Sequence, residues 1–464
     1  MGPRAWLLLV GAGLALALAW RPSELTLPPH GEHAWRDADG IGIARCFVRE
    51  GVALWRPRVM ERGATPGVVG MELPLVNAMG AGLMKLLGIA DAWARLPCWL
   101  ALVPLALGAT ALGRRLFGDP RAAALTAVAL VLQPLVLVYS RKCMPELPML
   151  AALVWAVALA HDALHRPSMA SAVAAGLLFA LAAVLKPTGL AAAIPVAIWA
   201  ARTRRFGAAA VIAVIPTAAA ALWFAHARAL EAEGLPLFKL HQDWFEWLHL
   251  AGSPSFWSIV LGRVLHTYLL WPTVIWMVLR WPVVVALARE HRALMAWLGA
   301  ALFVVILFGS HNAQHPYYAL PLLVPIALFV GGFAARASAL HARPERVAMA
   351  FALVFAITAL VRAEQRRTPF PIDAAALVAS AAHVPAGLTV ATDAHSPVVS
   401  LVLLDRLGWA RPAEELKPAA IDALRSQGAA VLVESSFGGW LPPETRAALP
   451  PPVYADDVLR AYAL

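Results

Sequence analysis

The sequence predicts an α-helical polytopic membrane protein of about 11–13 transmembrane helices, with interfacial helices in the first outer loop and a small C-terminal α/β domain on the outer face. Three observations carry this expectation. Of the 464 residues, 61% are hydrophobic and only 14% charged, whereas soluble domains carry roughly 25% charged residues. Apolar runs filled with Ala, Leu and Val recur from Ala5 to Val361, each near the roughly 20 residues a helix needs to cross about 30 Å of hydrocarbon. Beyond residue 364 the texture changes to short apolar segments bounded by Gly and Pro. A closed β-barrel would read instead as short alternating segments.

The first run, "AWLLLVGAGLALALAW", has a small-residue sequence at Ala17-Leu18-Ala19 that could mark a signal-peptide cleavage site. Because further spans follow, an uncleaved anchor is the simpler expectation. Hydropathy places spans near 5–20, 93–112, 121–139, 145–162, 168–184, 187–201, 206–224, 267–288, 293–309, 317–334 and 346–362. The groups Arg114/Arg115/Arg121, Arg166, Arg202/Arg204/Arg205, Arg289/Arg292 and Arg336/Arg343/Arg346 then fall on one side. The positive-inside rule makes that side the cytoplasm. The N-terminus is therefore expected inside and the C-terminal domain outside. The run 72–88 is apolar enough to span, but counting it as a crossing would throw every Arg-rich loop outside. It is expected to be interfacial or re-entrant.

This topology puts three polar regions on the outer face: a first loop 21–92, a second loop 225–266, and the tail. Residues 1–364 form the expected membrane domain and 365–464 the expected soluble one. The first loop contains "EHAWRDADGIGIARCFVREG", an unusual concentration of charge for so apolar a chain. Within it Ile41, Ala44, Phe47 and Val48 are spaced three and four apart, which predicts an amphipathic helix from about Asp39 to Glu50 lying on the bilayer. In the second loop Trp244, Trp247 and Trp257 read as interfacial anchors. In the tail, "LTVATD", "SPVVSLVLLDRLGW", "PAAIDALRSQG" and "AAVLVESS" read as strand, helix, helix, strand. No Gly-rich phosphate loop follows its strands, which argues against a nucleotide site.

The net charge of +10 is scattered over helix ends and loops, so topology explains it and a nucleic-acid partner is not expected. Cys46, Cys98 and Cys143 are widely spaced and odd in number, which indicates neither a disulfide framework nor a CxxC metal site. Asp37-Ala38-Asp39 is an acidic pair able to hold a divalent metal through oxygen. That use belongs to soluble nucleotide-sugar domains, and this pair lies outside the membrane. At the predicted helix start, Asp39 also reads as an N-cap.

Seven stretches, "HAWRDADGIGIARCFVREG", "RPRVMERG", "GMELPL", "LGRRLFGDPRAAALTA", "YSRKCMPELPML", "LKPTG" and "HPYYALPLLVP", resemble in their order the C-type glycosyltransferases of the aminoarabinose-lipid A transferase and protein O-mannosyltransferase superfamily. The resemblance runs through most of residues 1–365. It implies transfer of a sugar from a polyprenyl-phosphate donor to a lipid, glycan or protein acceptor at the periplasmic face of a bacterial inner membrane. The first-loop acidic residue would be the base, and Asp39 matches it by its spacing to Ala44. Gly40 stands where relatives often carry a second acid, so a two-carboxylate scheme would need Asp37 or Glu72. Glu72 itself occupies a position where many relatives carry a basic residue.

The chemistry agrees with that implication. Attack at the anomeric carbon passes through a cation-like sugar, and the acceptor hydroxyl must lose its proton. A lipid phosphate leaves, so cations must meet its charge. Arg58, Arg62, Arg141, Lys142 and Lys186 are the outer-side candidates, with snorkelling at helix ends the bland alternative for Arg141 and Lys142. Glu146, His315, Tyr317 and Tyr318 are substrate-binding candidates; for Glu146 a favourable contact with its helix dipole is the alternative. No cofactor is required, although a divalent metal on His33 (or His30), His311 and His315 is a weak option. The competing functions are a transporter or flippase of lipid-linked sugars, a lipid-linked glycan polymerase or ligase, and a non-catalytic membrane assembly factor.

Overall fold

The computed structural model describes residues 3–166, 168–233, 252–307, 314–368, 371–394 and 398–464. The chain divides into two compact units. One comprises Met1–Pro22, Cys98–Trp223 and Leu240–Arg366; the other comprises Ser23–Pro97, Phe224–Lys239 and Arg367–Leu464. The second unit thus joins the first polar loop to the tail.

The first unit is a bundle of apolar helices, and each of the eleven expected spans falls on helix. Among the described residues, five helices are long and apolar enough to cross a membrane, or seven if each of two bent pairs is one span. Several expected spans are broken or open as 3₁₀ turns. The segment 121–139 is two helices, Pro120–Val131 and Pro134–Tyr139, because Pro134 has no N–H to continue the ladder. The segment 187–201 opens as a 3₁₀ turn, Pro187–Ala192, before the helix Ala193–Thr203. Residues 267–288 straddle two helices, Trp271–Leu279 and Trp281–Glu290, each with proline in its first turn. The first of these is bent 90° from Pro254–Tyr268, and the second 97° from Arg292–Leu307. The helix Leu320–Ala339 is buried along nearly its whole length and packs on Pro120–Val131, Arg292–Leu307 and Pro344–Gln365. A helix apolar all round is what such a central position needs.

The second unit contains the helix Ala34–Glu50, the helix Leu75–Leu87 and a five-stranded sheet. The strands are β1 (Thr389–Thr392), β2 (Gly408–Arg411), β3 (Val431–Ser435), β4 (Tyr454–Ala455) and β5 (Leu459–Ala463), in the order β2-β1-β3-β5-β4. β1 pairs parallel with β2 and β3, while β5 runs antiparallel to β3 and β4. The core under the sheet is formed by Val390, Trp409, Leu416, Ile421, Leu432, Leu441 and Tyr462. The α/β expectation holds, but "SPVVSLVLLDRLGW" is only in part a helix: Val399–Leu404 is helical, and the chain then turns at Asp405 into β2.

Two first-loop expectations are refined. The segment 72–88 forms the helix Leu75–Leu87, 13 residues long, which spans only about 20 Å. The amphipathic helix begins five residues earlier than expected, at Ala34. Asp39 therefore lies inside it and is no N-cap; His33 holds that position. Nor does this helix lie half-exposed on a surface, because Asp37 to Ala44, Cys46 and Phe47 are all buried.

Candidate active site

Two clusters of the anticipated residues exist, one in each unit. In the loop-and-tail unit, Asp39 and Glu72 flank Arg36. The Arg36 guanidinium is 2.9 Å from Glu72 Oε2 and 3.7 Å from Asp39 Oδ2. Helical spacing explains half of this, since residues three apart share a face. The other half comes from the segment "GMELPL", which delivers Glu72 just before the helix Leu75–Leu87. Asn77 fixes that helix by donating from Nδ2 to the Gly40 carbonyl at 2.7 Å. Burial is the main force on the Asp39 carboxyl and pushes it up to about 6; Arg36 opposes the shift and ionised Glu72 adds to it. A carboxyl so placed is ionised at neutral pH yet basic enough to take a proton.

Asp37 is not part of this pair of acids. It is buried against Arg95, whose Nη2 donates to Oδ2 at 2.8 Å and whose Nε lies 3.2 and 3.3 Å from its two oxygens. Nη1 of the same arginine donates to the carbonyls of Leu25 and Leu27 at 2.8 and 2.5 Å. Asp37 thus anchors the entry of the first loop. Arg58 and Arg62 both grip Glu50, at 2.7 and 2.5 Å. Burial works against the Glu50 charge, but the hydrogen bonds from Arg62 and Arg58 outweigh it and hold the carboxyl below its usual range.

The membrane unit holds the second cluster. Lys186, where the helix Met169–Leu185 gives way to the proline turn, points its ammonium 2.8 Å from Glu146 Oε1. The same ammonium lies 4.8 Å from the ring centroid of Tyr317 and 4.7 Å from that of Tyr318. The two tyrosines stack at 4.8 Å, and His315 stacks on Tyr317 at 5.5 Å. Glu146 is fully buried in the first turn of the helix Glu146–His165, so its dipole contact and its ion pair coexist. Its Oε2 has no hydrogen-bond partner among the described residues. Arg141 is spent differently: it donates to the carbonyls of Leu137, Ala17 and Trp20 and lies over the Trp20 ring at 4.7 Å. It caps the C-terminal end of the first helix. Lys142 beside it is buried.

His311, Trp244 and Trp247 lie outside the described residues. His33 sits in a left-handed conformation 3.7 Å from Glu32. Among the described residues no group of three or more His, Cys, Asp or Glu is arranged to hold a metal.

Sequence reasoning missed Arg36, Arg95, Glu50 and Asn77 as partners. Arg36 could have been found by its i, i+3 spacing to Asp39. The others lie 58, 12 and 37 residues from what they bind, and no local pattern announces them.

Comparison with known proteins bears on the class. Residues 71–230 match the family Dolichyl-phosphate-mannose-protein mannosyltransferase. No curated protein matches the chain by sequence. Among solved structures, ArnT from Cupriavidus metallidurans bound to undecaprenyl phosphate is similar, with TM-score 0.68 and 15% identity over 100% of this chain and 98% of that one. The Archaeoglobus fulgidus oligosaccharyltransferase matches at TM-score 0.62 and 12% identity over 93% of this chain and 69% of its own. The arabinofuranosyltransferase AftD from Mycobacteria matches at 0.55 and 16%, over 100% of this chain and 40% of its own. The chain has the fold of these membrane glycosyltransferases, a multi-span helical body with a small C-terminal mixed-sheet domain.

Proposed function

We propose that the protein moves a sugar from a polyprenyl-phosphate donor onto a hydroxyl of a lipid, glycan or protein acceptor at the outer face of a bacterial inner membrane, with Asp39 as general base. The observation that carries the base assignment is a buried carboxylate whose one described ion-pair partner, Arg36, stands 3.7 Å away and is shared with Glu72 at 2.9 Å. The acceptor oxygen attacks the anomeric carbon, its proton passes to Asp39, and the bond from that carbon to the phosphate oxygen breaks. The phosphate departs with the bonding electrons on its lipid.

Lys186 is the residue we assign to that phosphate. Arg58 and Arg62 share Glu50, and Arg141 is committed to backbone carbonyls. Lys186 is held by Glu146 and two aromatic faces, and its ammonium suits an anionic oxygen. Glu72 keeps Arg36 in place beside the base. Radiolabelled polyprenyl-phosphate sugars, offered one by one to membranes carrying the full chain, test the reading. Transfer of one sugar to extractable lipid, glycan or protein names donor and acceptor together. No transfer from any donor would reject it in favour of a flippase or an assembly factor. Lys186→Gln is expected to raise the donor KM at least tenfold, as the loss of one charge-assisted contact of about 1.5–3 kcal/mol requires.

A further inference from the structure

The tail segment 402–411 holds the Asp39 helix from one side. Arg45 and Arg49, four residues apart in its last turns, both donate to Asp405, and Arg45 Nη1 lies 3.1 Å from Asp405 Oδ1. The same Nη1 donates to the Val402 carbonyl at 2.7 Å, and Nη2 pairs with Asp91 at 2.6 Å. Gly42 sits where a side chain would meet Met60 at 3.1 Å and Val402 at 3.5 Å. Gly42 lies three residues from both Asp39 and Arg45, so the tail contact at Val402 comes within one helical turn of Asp39.

A second attachment lies a few residues on. The Gly408 N–H donates to the Met60 carbonyl at 3.1 Å, and the Gly408 carbonyl accepts from the N–H groups of Arg62 and Gly63 at 3.0 and 2.8 Å. The first-loop segment is thereby added to the edge of the tail sheet beside β2, with Arg411 2.9 Å from Glu61. Asp405 joins the two attachments. It occupies a left-handed conformation, φ 55°, at the end of the helix Val399–Leu404, a conformation that Asp tolerates better than most residues.

We propose that Asp405 is a positioning residue for the transfer reaction: by anchoring Arg45 and Arg49 it seats the helix that carries Asp39 and keeps that carboxyl away from water. The proposal rests on the assignment of Asp39 as base. The tail is then part of the catalytic apparatus. Burial has the largest effect on the Asp39 charge; the charged groups that act on it are Arg36 on its own helix and Glu72 from the segment before the next helix, while Asp39 and Asp393, at the end of β1, both act on Glu61 in the strip beside β2.

The test uses the full chain in membranes with its polyprenyl-phosphate sugar donor, comparing wild type, Asp405→Asn, Asp405→Glu and Arg49→Gln. The pH dependence of kcat in the wild type is expected to show an acid limb near 6. Asp405→Asn lets water reach Asp39, moves that limb down by on the order of one unit, and lowers kcat about tenfold at neutral pH with donor KM within twofold. Arg49→Gln shifts it less, and Asp405→Glu restores the wild-type profile. If Asp405→Asn folds and keeps both limb and kcat, the positioning role is wrong. If it does not fold, Arg49→Gln decides by the same readout. Full transfer by Asp39→Asn would instead remove the base assignment, and the proposal with it; that result is distinguishable because it does not involve Asp405.

Discussion

Removing Arg95 separates structural from catalytic acids in the first loop. The Arg95 side chain is buried and gives Asp37 three contacts between 2.8 and 3.3 Å. It also serves the carbonyls of Leu25 and Leu27. In Arg95→Met the methionine fills most of the volume, but Asp37 is left as a buried unpaired charge. Breaking such a pair costs about 3–5 kcal/mol, or roughly 6–20 °C in the melting temperature of a unit this size. Asp37→Asn is expected to lose less, because the amide still accepts from the guanidinium. The double variant Asp37→Leu/Arg95→Met removes both charges and should recover most of the loss. The assay is thermal unfolding in detergent alongside sugar transfer by the folded fraction. The reasoning predicts that Asp37→Asn alters the melting temperature and leaves the specific rate within about threefold. A normal melting temperature with transfer abolished would refute it and return Asp37 to the catalytic candidates.

Four further outcomes are expected. At neutral pH the ionised Asp39 is a burden on the fold, because its carboxyl stands at about 6 against an ordinary 3.8. That cost is present above pH 6 and relieved as pH falls from 6 to 3.8, so Asp39→Asn should stabilise the protein at pH 7, by up to on the order of 3 kcal/mol, as read by chemical denaturation. Glu24 has the opposite sign: burial works against its charge, but His30 and Arg367 bring its carboxyl down to about 2. Its stabilisation is present above its unfolded value of 4.5 and lost as pH falls from there toward 2, so Glu24→Gln should flatten the acid side of a melting-temperature profile. Lys186→Met leaves Glu146 buried without its 2.8 Å partner and should destabilise the membrane unit by about 3–5 kcal/mol, which Glu146→Leu in the same chain largely restores. Gly408→Ala should disrupt the tail's hold on the first loop, since φ is 148° and a Cβ would stand 2.0 Å from the Thr389 carbonyl oxygen; limited proteolysis would show an earlier cut between residues 58 and 70.

The membrane bundle was legible because its signal is long-range and redundant: every expected span carries helix, and the Ala-rich runs leave few other choices. Its interruptions at Pro134 and Pro187 were also written in the sequence, as prolines whose effect a hydropathy average smooths away. Asp39 was legible as a charge beside an apolar run, but its surroundings were not. The helix starts at Ala34 without a side-chain cap, so no Ser, Thr, Asp or Asn marks the boundary, and the aspartate at 39 invited that reading. Arg95 reaches Asp37 from the start of a helix that reads as an ordinary span, and Asp405 reaches Arg45 across 360 residues. Such pairs are products of tertiary packing, which local periodicity does not encode. In the tail, the short strands β4 and β5 follow a run of prolines and lack the apolar alternation that betrayed β1 and β3.

Asp39 is proposed to take the acceptor proton. Its most direct test is sugar transfer from the radiolabelled polyprenyl-phosphate donor that the wild-type chain accepts, measured with wild type and Asp39→Asn in membranes containing equal amounts of folded protein. The account predicts a loss of at least a hundredfold in kcat with donor KM little changed, the scale on which a general base contributes. Transfer at the wild-type rate would contradict it.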